Sequence, residues 1–155
     1  MSVFLPCLLE RWSSGLGTQE RNRTVNSWQD VRKDVMRNLE WLLNTEQPRT
    51  IAGVEPPPAV ERSVLFYGVM PYSGKVRSSF NADDVAWSIR ERIIAYEPRI
   101  EPASLTVTPT GSPDKASFNR MRFTIEGFLR SDPLPIEFVV HSELDLESGK
   151  ALIST

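Results

Sequence analysis

The chain has one cysteine, Cys7, and one histidine, His141, among its 155 residues. A lone cysteine excludes an intrachain disulfide and makes a reducing compartment the natural setting. With one His and one Cys, a metal site would have to be built from carboxylates. No Asp/Glu cluster has the spacing of a calcium or magnesium loop, so neither metal nor cofactor is expected. Charge excess is missing too: 18 basic against 20 acidic residues leave a net charge of −2. That balance lacks the electrostatic footprint of a nucleic-acid partner or an anionic membrane surface. Long apolar runs are also absent. The N-terminal MSVFLPCLLERW has no basic region before its apolar stretch, meets Glu10 at once, and is too short to span a bilayer. The expectation is a soluble, cytoplasmic protein with no membrane insertion, in which the Asn22-Arg23-Thr24 sequon is idle.

Residue sets that carry catalysis are equally scarce. GVMPYSGK superficially resembles a phosphate-binding loop, but five residues separate Gly68 from Gly74, and Val76 follows Lys75 where Ser or Thr is required. His141 falls on the polar face of a strand pattern, the setting of a surface residue. Cys7 has no base held against it, which leaves a Cys–His pair without support. A glycosidase needs two carboxylates roughly 5 to 9.5 Å apart across a cleft. Glu97 could supply one, no second is nominated, and the nearby Arg99 favours a carboxylate that stays ionised rather than one that donates a proton. No enzyme is expected, and a peptidoglycan hydrolase remains the alternative.

What is present is amphipathic pattern. Residues 1–24 read as an N-terminal docking arm: Val3, Phe4, Leu5, Leu8, Leu9 and Trp12 cluster ahead of a polar, Gly-containing stretch. The arm suits docking on another surface or tucking against its own domain, which spans 25–155. SWQDVRKDVMRNLEWLLNT predicts a helix, with Ser27 and Asp30 spaced as a capping box. Trp28, Val31, Val35, Leu39 and Leu42 form one buried stripe. Trp41 and Leu43 fall outside it, and either widen the buried face or mark a second one for a partner. Pro48 stops the helix by Thr45 to Gln47. After the loop PRTIAGVEPPP, Pro58 suits the first turn of a short helix, AVERSVLFY, with Val60, Val64 and Tyr67 on one side and Gly68 as terminator. Asn81 and Asp84 cap a second long helix with the stripe Val85, Ala86, Ile89, Ile93 and Tyr96.

The period then falls from about 3.6 to 2. SLTVT, NRMRFTIEGFLR, PIEFVVHSELDL and ALIST read as strands, the long pair joined through SDPLP. The fold class is α+β: two long amphipathic helices and one short helix on a small, largely antiparallel sheet of about four strands. The short strands, Ser104–Thr108 and Ala151–Thr155, suit its edges. One local puzzle remains. In AYEPRIEP a helix ends on Glu97, although a carboxylate there faces the negative end of the helix dipole, unfavourable by roughly 0.3–1 kcal/mol. A neighbouring cation such as Arg90 or Arg92, a partner, or a catalytic task must compensate it.

The order of these elements, with FLPCLLERW, DVMRNLEWLLNT, RSVLFYG, YEPRI, PASLTV and ELDLESGKALI, resembles the TssE family, small baseplate subunits of the bacterial type VI secretion system. That family is similar to the sheath-initiating wedge protein of contractile phage baseplates, and members have been called lysozyme-like. The loops PRTIAGVEPPP and VMPYSGKVRSSF depart from the pattern. The resemblance implies a structural subunit in a baseplate docked at the inner membrane, with the wedge subunits TssF and TssG, and TssK, as partners. It also implies that sheath subunits TssB and TssC add a strand at a sheet edge. Glu97, Pro98 and Arg99 are then the wedge contact, and Leu8, Leu9, Trp12 and Trp41 are further partner-binding candidates. On that reading Glu97→Ala or Arg99→Ala leaves the free fold nearly intact. A stand-alone adaptor of the same fold is the other alternative.

Overall fold

A computed structural model describes residues 28–48, 56–61, 63–74, 80–110, 119–130 and 135–154. The arm at 1–24 with Leu8, Leu9, Trp12 and Cys7, the cap residue Ser27, Lys75, and the 131–134 connection lie outside the described residues. Helix α1 runs Trp28–Leu43 and ends before Pro48, as the proline predicts. Val35 and Leu39 are fully buried, and Val31, Leu42 and Leu43 nearly so. Of the two readings open for Leu43, the structure takes the widened buried face, because it stands four residues after Leu39 and so directly below it on the helix. Trp28, expected in the buried stripe, does not belong to it and is 46% exposed. Helical side chains lean toward the N-terminus, so the first residue of the stripe projects past the end of its helix.

The short helix is also not continuous. Helix α2 covers Pro58–Glu61, and a separate 3-10 turn covers Val64–Phe66. Ser63 divides them: its hydroxyl donates to the Val60 carbonyl at 2.7 Å and accepts from the Leu65 amide at 3.3 Å. A hydroxyl that engages both sides in this way competes with helical continuation. Val64, expected inward, is therefore 82% exposed. Gly68 ends the segment at φ +112°, where an added Cβ would sit 2.3 Å from the Thr45 carbonyl oxygen. Only glycine allows this approach, which lets Val69 N donate to Thr45 O and Gln47 N to Val69 O, both at 2.9 Å.

Helix α3, Ala82–Tyr96, starts as its sequence indicates: the Asn81 side chain accepts from Asp83 N at 3.1 Å, while Asp83 and Asp84 occupy the first turn. Acidic side chains there complement the positive end of the dipole. Val85, Ala86, Ile89 and Ile93 are buried, whereas Trp87 is exposed. Four strands follow: β1 Thr106–Thr110, β2 Arg120–Leu129, β3 Ile136–Asp145 and β4 Ala151–Ser154. They form one antiparallel sheet in chain order, with the two long strands central and the two short ones at the edges.

Period-2 alternation places Met121, Phe123, Ile125 and Leu129 opposite Leu144, Ser142, Val140 and Ile136 on the helix-covered face. The other face carries Arg120, Arg122, Thr124, His141 and Glu143. The Glu143 carboxylate takes hydrogen bonds from Arg122 and Arg120, which hold its pKa below the usual value. At the β3–β4 turn, the amides of Glu147 and Ser148 donate to Asp145 and lower its pKa likewise. These groups face solvent, so their contribution is register more than stability.

Core and rim positions on α1 should differ sharply in chemical denaturation. Leu39→Ala removes a fully buried side chain and is expected to cost about 2–5 kcal/mol, while Trp28→Ala should change stability by less than about 1 kcal/mol.

Candidate functional site

The Glu97-Pro98-Arg99 turn is a junction of three elements. Glu97 is the C-cap of α3, its amide still donating to Ile93 O at 2.8 Å and its backbone leaving the helix at φ −122°, ψ 79°. Pro98 cannot continue a helix, because it lacks the amide proton and fixes φ. The chain therefore turns, with Ile100 N donating to Glu97 O at 3.2 Å. The same stretch is sewn to the end of β2: Arg130 N donates to Arg99 O and Glu101 N to Phe128 O, both at 2.8 Å, and Ile100 pairs with Leu129.

The turn folds the Glu97 carboxylate inward, leaving the residue 2% exposed. Arg99 meets it with a two-pronged grip, Nε to Oε1 at 2.7 Å and Nη2 to Oε2 at 2.8 Å. The Arg99 amide adds a bond to Oε1 at 3.3 Å, and Asn38 Nδ2 on α1 donates to Oε2 at 3.2 Å. This resolves the unfavourable charge at the helix end. The compensating cation is Arg99 itself; Arg90, a sequence candidate, instead donates to the carbonyls of Leu105 and Pro102 and to Glu91. Tyr67 packs edge-to-face on Tyr96 at 5.1 Å, and burial, then the Glu97 charge, then Tyr96 raise its phenol pKa. Tyr96 OH donates to Ser63 O at 2.9 Å, tying the 3-10 corner to the same helix end. Both carboxylate oxygens are thereby engaged by donors of the fold itself, the arrangement of a structural acceptor.

The sheet edges are the second feature. Backbone groups of a strand point alternately to its two neighbours. The Lys150 carbonyl accepts from Asp145 of the adjoining turn, so Lys150 and Leu152 face β3, while Ala151 and Ile153 face outward. The outward pair of Ala151 is already occupied. Asn44 donates Nδ2 to Ala151 O at 2.9 Å and accepts Ala151 N on Oδ1 at 3.0 Å. One side-chain amide thereby imitates a neighbouring strand. Following the same alternation through β3 and β2, Thr106, Thr108 and Thr110 face β2, and Val107 and Pro109 face outward. Pro109 has no amide proton to offer there, which is how prolines occur in edge strands.

Sequence reasoning brought Glu97, Pro98 and Arg99 together as one site, and the structure places them in one turn. Trp41 stands elsewhere on α1, 47% exposed, with the Arg37 guanidinium carbon 5.4 Å from its ring centroid. Asn38 and Asn44 were missed. Asn38 carried a faint signal, since it lies three residues after Val35 and four before Leu42, at the margin of the buried stripe. Asn44 carried none, because its partner is 107 residues away.

The family comparison places the chain among structural proteins of the baseplate. The chain belongs to the family described as baseplate wedge protein gp25, whose family model matches residues 29–134, and this family includes TssE. The match spans α1 to β2 and stops short of β3 and β4. No curated protein and no solved structure matches the chain significantly.

Burial reverses the stability expected of the junction variants. Removing one partner of a buried ion pair leaves the other uncompensated, so Glu97→Ala and Arg99→Ala should each cost about 3–5 kcal/mol. Asn38→Ala should cost about 1 kcal/mol. Urea denaturation of the free protein measures all three, and a double-mutant cycle should show strong coupling between Glu97 and Arg99.

Proposed function

We propose that the chain is a type VI secretion baseplate subunit that docks on the TssF/TssG wedge through the Glu97-Pro98-Arg99 turn and templates the TssB/TssC sheath at a sheet edge. The observation that carries this reading is the junction itself. Its rigidity is directional: the carboxylate is spent on holding the guanidinium, while 24% of the Arg99 side chain and the exposed Pro98 stay at the surface. In this division of labour Glu97 positions and Arg99 contacts. A planar guanidinium held in one orientation suits carbonyl or carboxylate acceptors at the surface of a helical bundle. Membership in a baseplate family supports the assembly role over the hydrolase and adaptor alternatives. TssK contact would follow from the wedge's place in the baseplate, on the cytoplasmic side of the inner membrane. No helix among the described residues is long and apolar enough to cross a membrane.

Docking must be tested without disturbing the fold, so the informative substitution is Pro98→Glu, an exposed site where a new carboxylate repels the acceptors that Arg99 would meet. Co-purification with co-expressed TssF and TssG should fall by at least about tenfold relative to Pro98→Ala, the loss of one charge-assisted contact, while the two free variants, which lose the same ring, melt alike. Full retention of wedge binding would overturn the docking surface.

A further inference from the structure

Beside the outward face of β4 runs a groove of about 510 Å³, lined by Trp28, Arg32, Lys33, Met36, Arg37 and Glu40 of α1 and by Ile153 of β4. We infer that this groove selects an extended partner segment with acidic side chains at alternate positions, whose backbone continues the sheet from Asn44. The inference rests on the strand-addition reading above and names the chemistry of the added strand.

The register follows from the edge. Asn44 fills the outward backbone pair of Ala151, so an incoming strand can engage first the outward pair of Ile153. Asn44 therefore acts as a stop that fixes where the added strand begins. Pleating then dictates what its side chains meet. The inner face of the sheet, on which Ile153 lies opposite the buried Ser142, faces α1. In a strand added beside β4, every second side chain points to that face and enters the groove. The remaining side chains lie on the outer face, beside Leu152, which is 69% exposed.

Groove chemistry favours carboxylates. Three cations and one acid line it, in a chain whose net charge is −2. Arg37 is committed to Asp34 at 3.2 Å. Arg32 reaches the Val139 carbonyl only at 3.5 Å, and its buried Nε has no hydrogen-bond partner among the described residues. A buried donor left unsatisfied costs free energy that an incoming acceptor recovers. Lys33, exposed beside it, adds a second positive charge. Trp28, Met36 and Ile153 supply an apolar floor for the stems of such side chains. This also gives the exposed Trp28 a role that the core does not. The opposite edge fits less well, because Pro109 leaves a gap in its outward donors.

Selection from a displayed library of random ten-residue peptides tests this on the full chain. Wild type should enrich Asp or Glu at every second position, with binding that weakens as salt rises, since exposed charge attraction is screened. Arg32→Glu/Lys33→Glu should enrich Lys and Arg instead. Ile153→Pro removes the outward donor without touching the ladder to β3, and should abolish enrichment. Peptides without acidic bias that are still lost in Ile153→Pro would overturn the charge preference and leave strand addition standing. Acidic peptides held equally well by Ile153→Pro would overturn strand addition at this edge. No enrichment, or a salt-sensitive dimer of the free chain that Arg32→Glu/Lys33→Glu disrupts, would overturn the proposal, the latter because a second copy fills the groove.

Discussion

The grip of Arg99 on the buried Glu97 carboxylate is the constraint on which the rest of the arrangement depends. It closes a helix end that would otherwise point a negative charge at a negative dipole. Through Asn38 it holds α1, and through the Arg99 carbonyl it holds the end of β2. Neither the helix layer nor the sheet can shift against the other without breaking a bond to this cluster. As a source of net stability the pair is unremarkable, because the desolvation of two charges offsets much of their attraction. Apolar burial on α1, α3 and the central strands supplies the stability. The pair supplies the angle at which the layers meet and at which Arg99 and Pro98 are displayed.

The sheet edges solve a different problem. A four-stranded open sheet has two rows of unpaired backbone groups, which invite uncontrolled pairing. This chain limits both by local means. Pro109 withholds a donor on β1, and the Asn44 amide covers the Ala151 pair on β4. Each device leaves part of the edge usable. On the proposed reading, such partial cover suits a domain that accepts a strand in one register and refuses it in others.

Much of this was legible in the sequence because it depends on short-range pattern. The change in period from about 3.6 to 2 separates helices from strands. Pro48, Gly68, Asn81 and Pro98 mark their ends, and strand length distinguishes centre from edge. The errors came where periodicity is read without regard to position. Trp28 fits the stripe by spacing yet projects past its helix, and Val64 fits a helical face yet follows a serine that breaks the helix. The EPR triplet was found as a unit, but its inward turn was not, since the direction of a carboxylate at a helix end depends on what lies beneath it. Asn38 and Asn44 lie beyond pattern reading altogether, because their partners are set by tertiary structure.

Those two asparagines show how α1 relates the proposed contacts. They are six residues apart, which on an ideal helix is a rise of about 9 Å and a rotation of about 240°. On the proposed reading, the residue that stabilises the docking turn sits on α1, and the residue that sets the first open position of β4 caps the same helix, its amide still donating to Glu40 O at 3.0 Å, on a different side. Between them Leu39, Leu42 and Leu43 are packed into the core with no more than 3% exposure. Interiors of this density do not deform continuously, and a helix so anchored has no second arrangement to adopt at small cost. The geometry therefore argues for a fixed spacer rather than a switch. On the proposed reading, the register at which a sheath strand begins is set by how the subunit sits on its wedge, with no conformational change needed to carry that information.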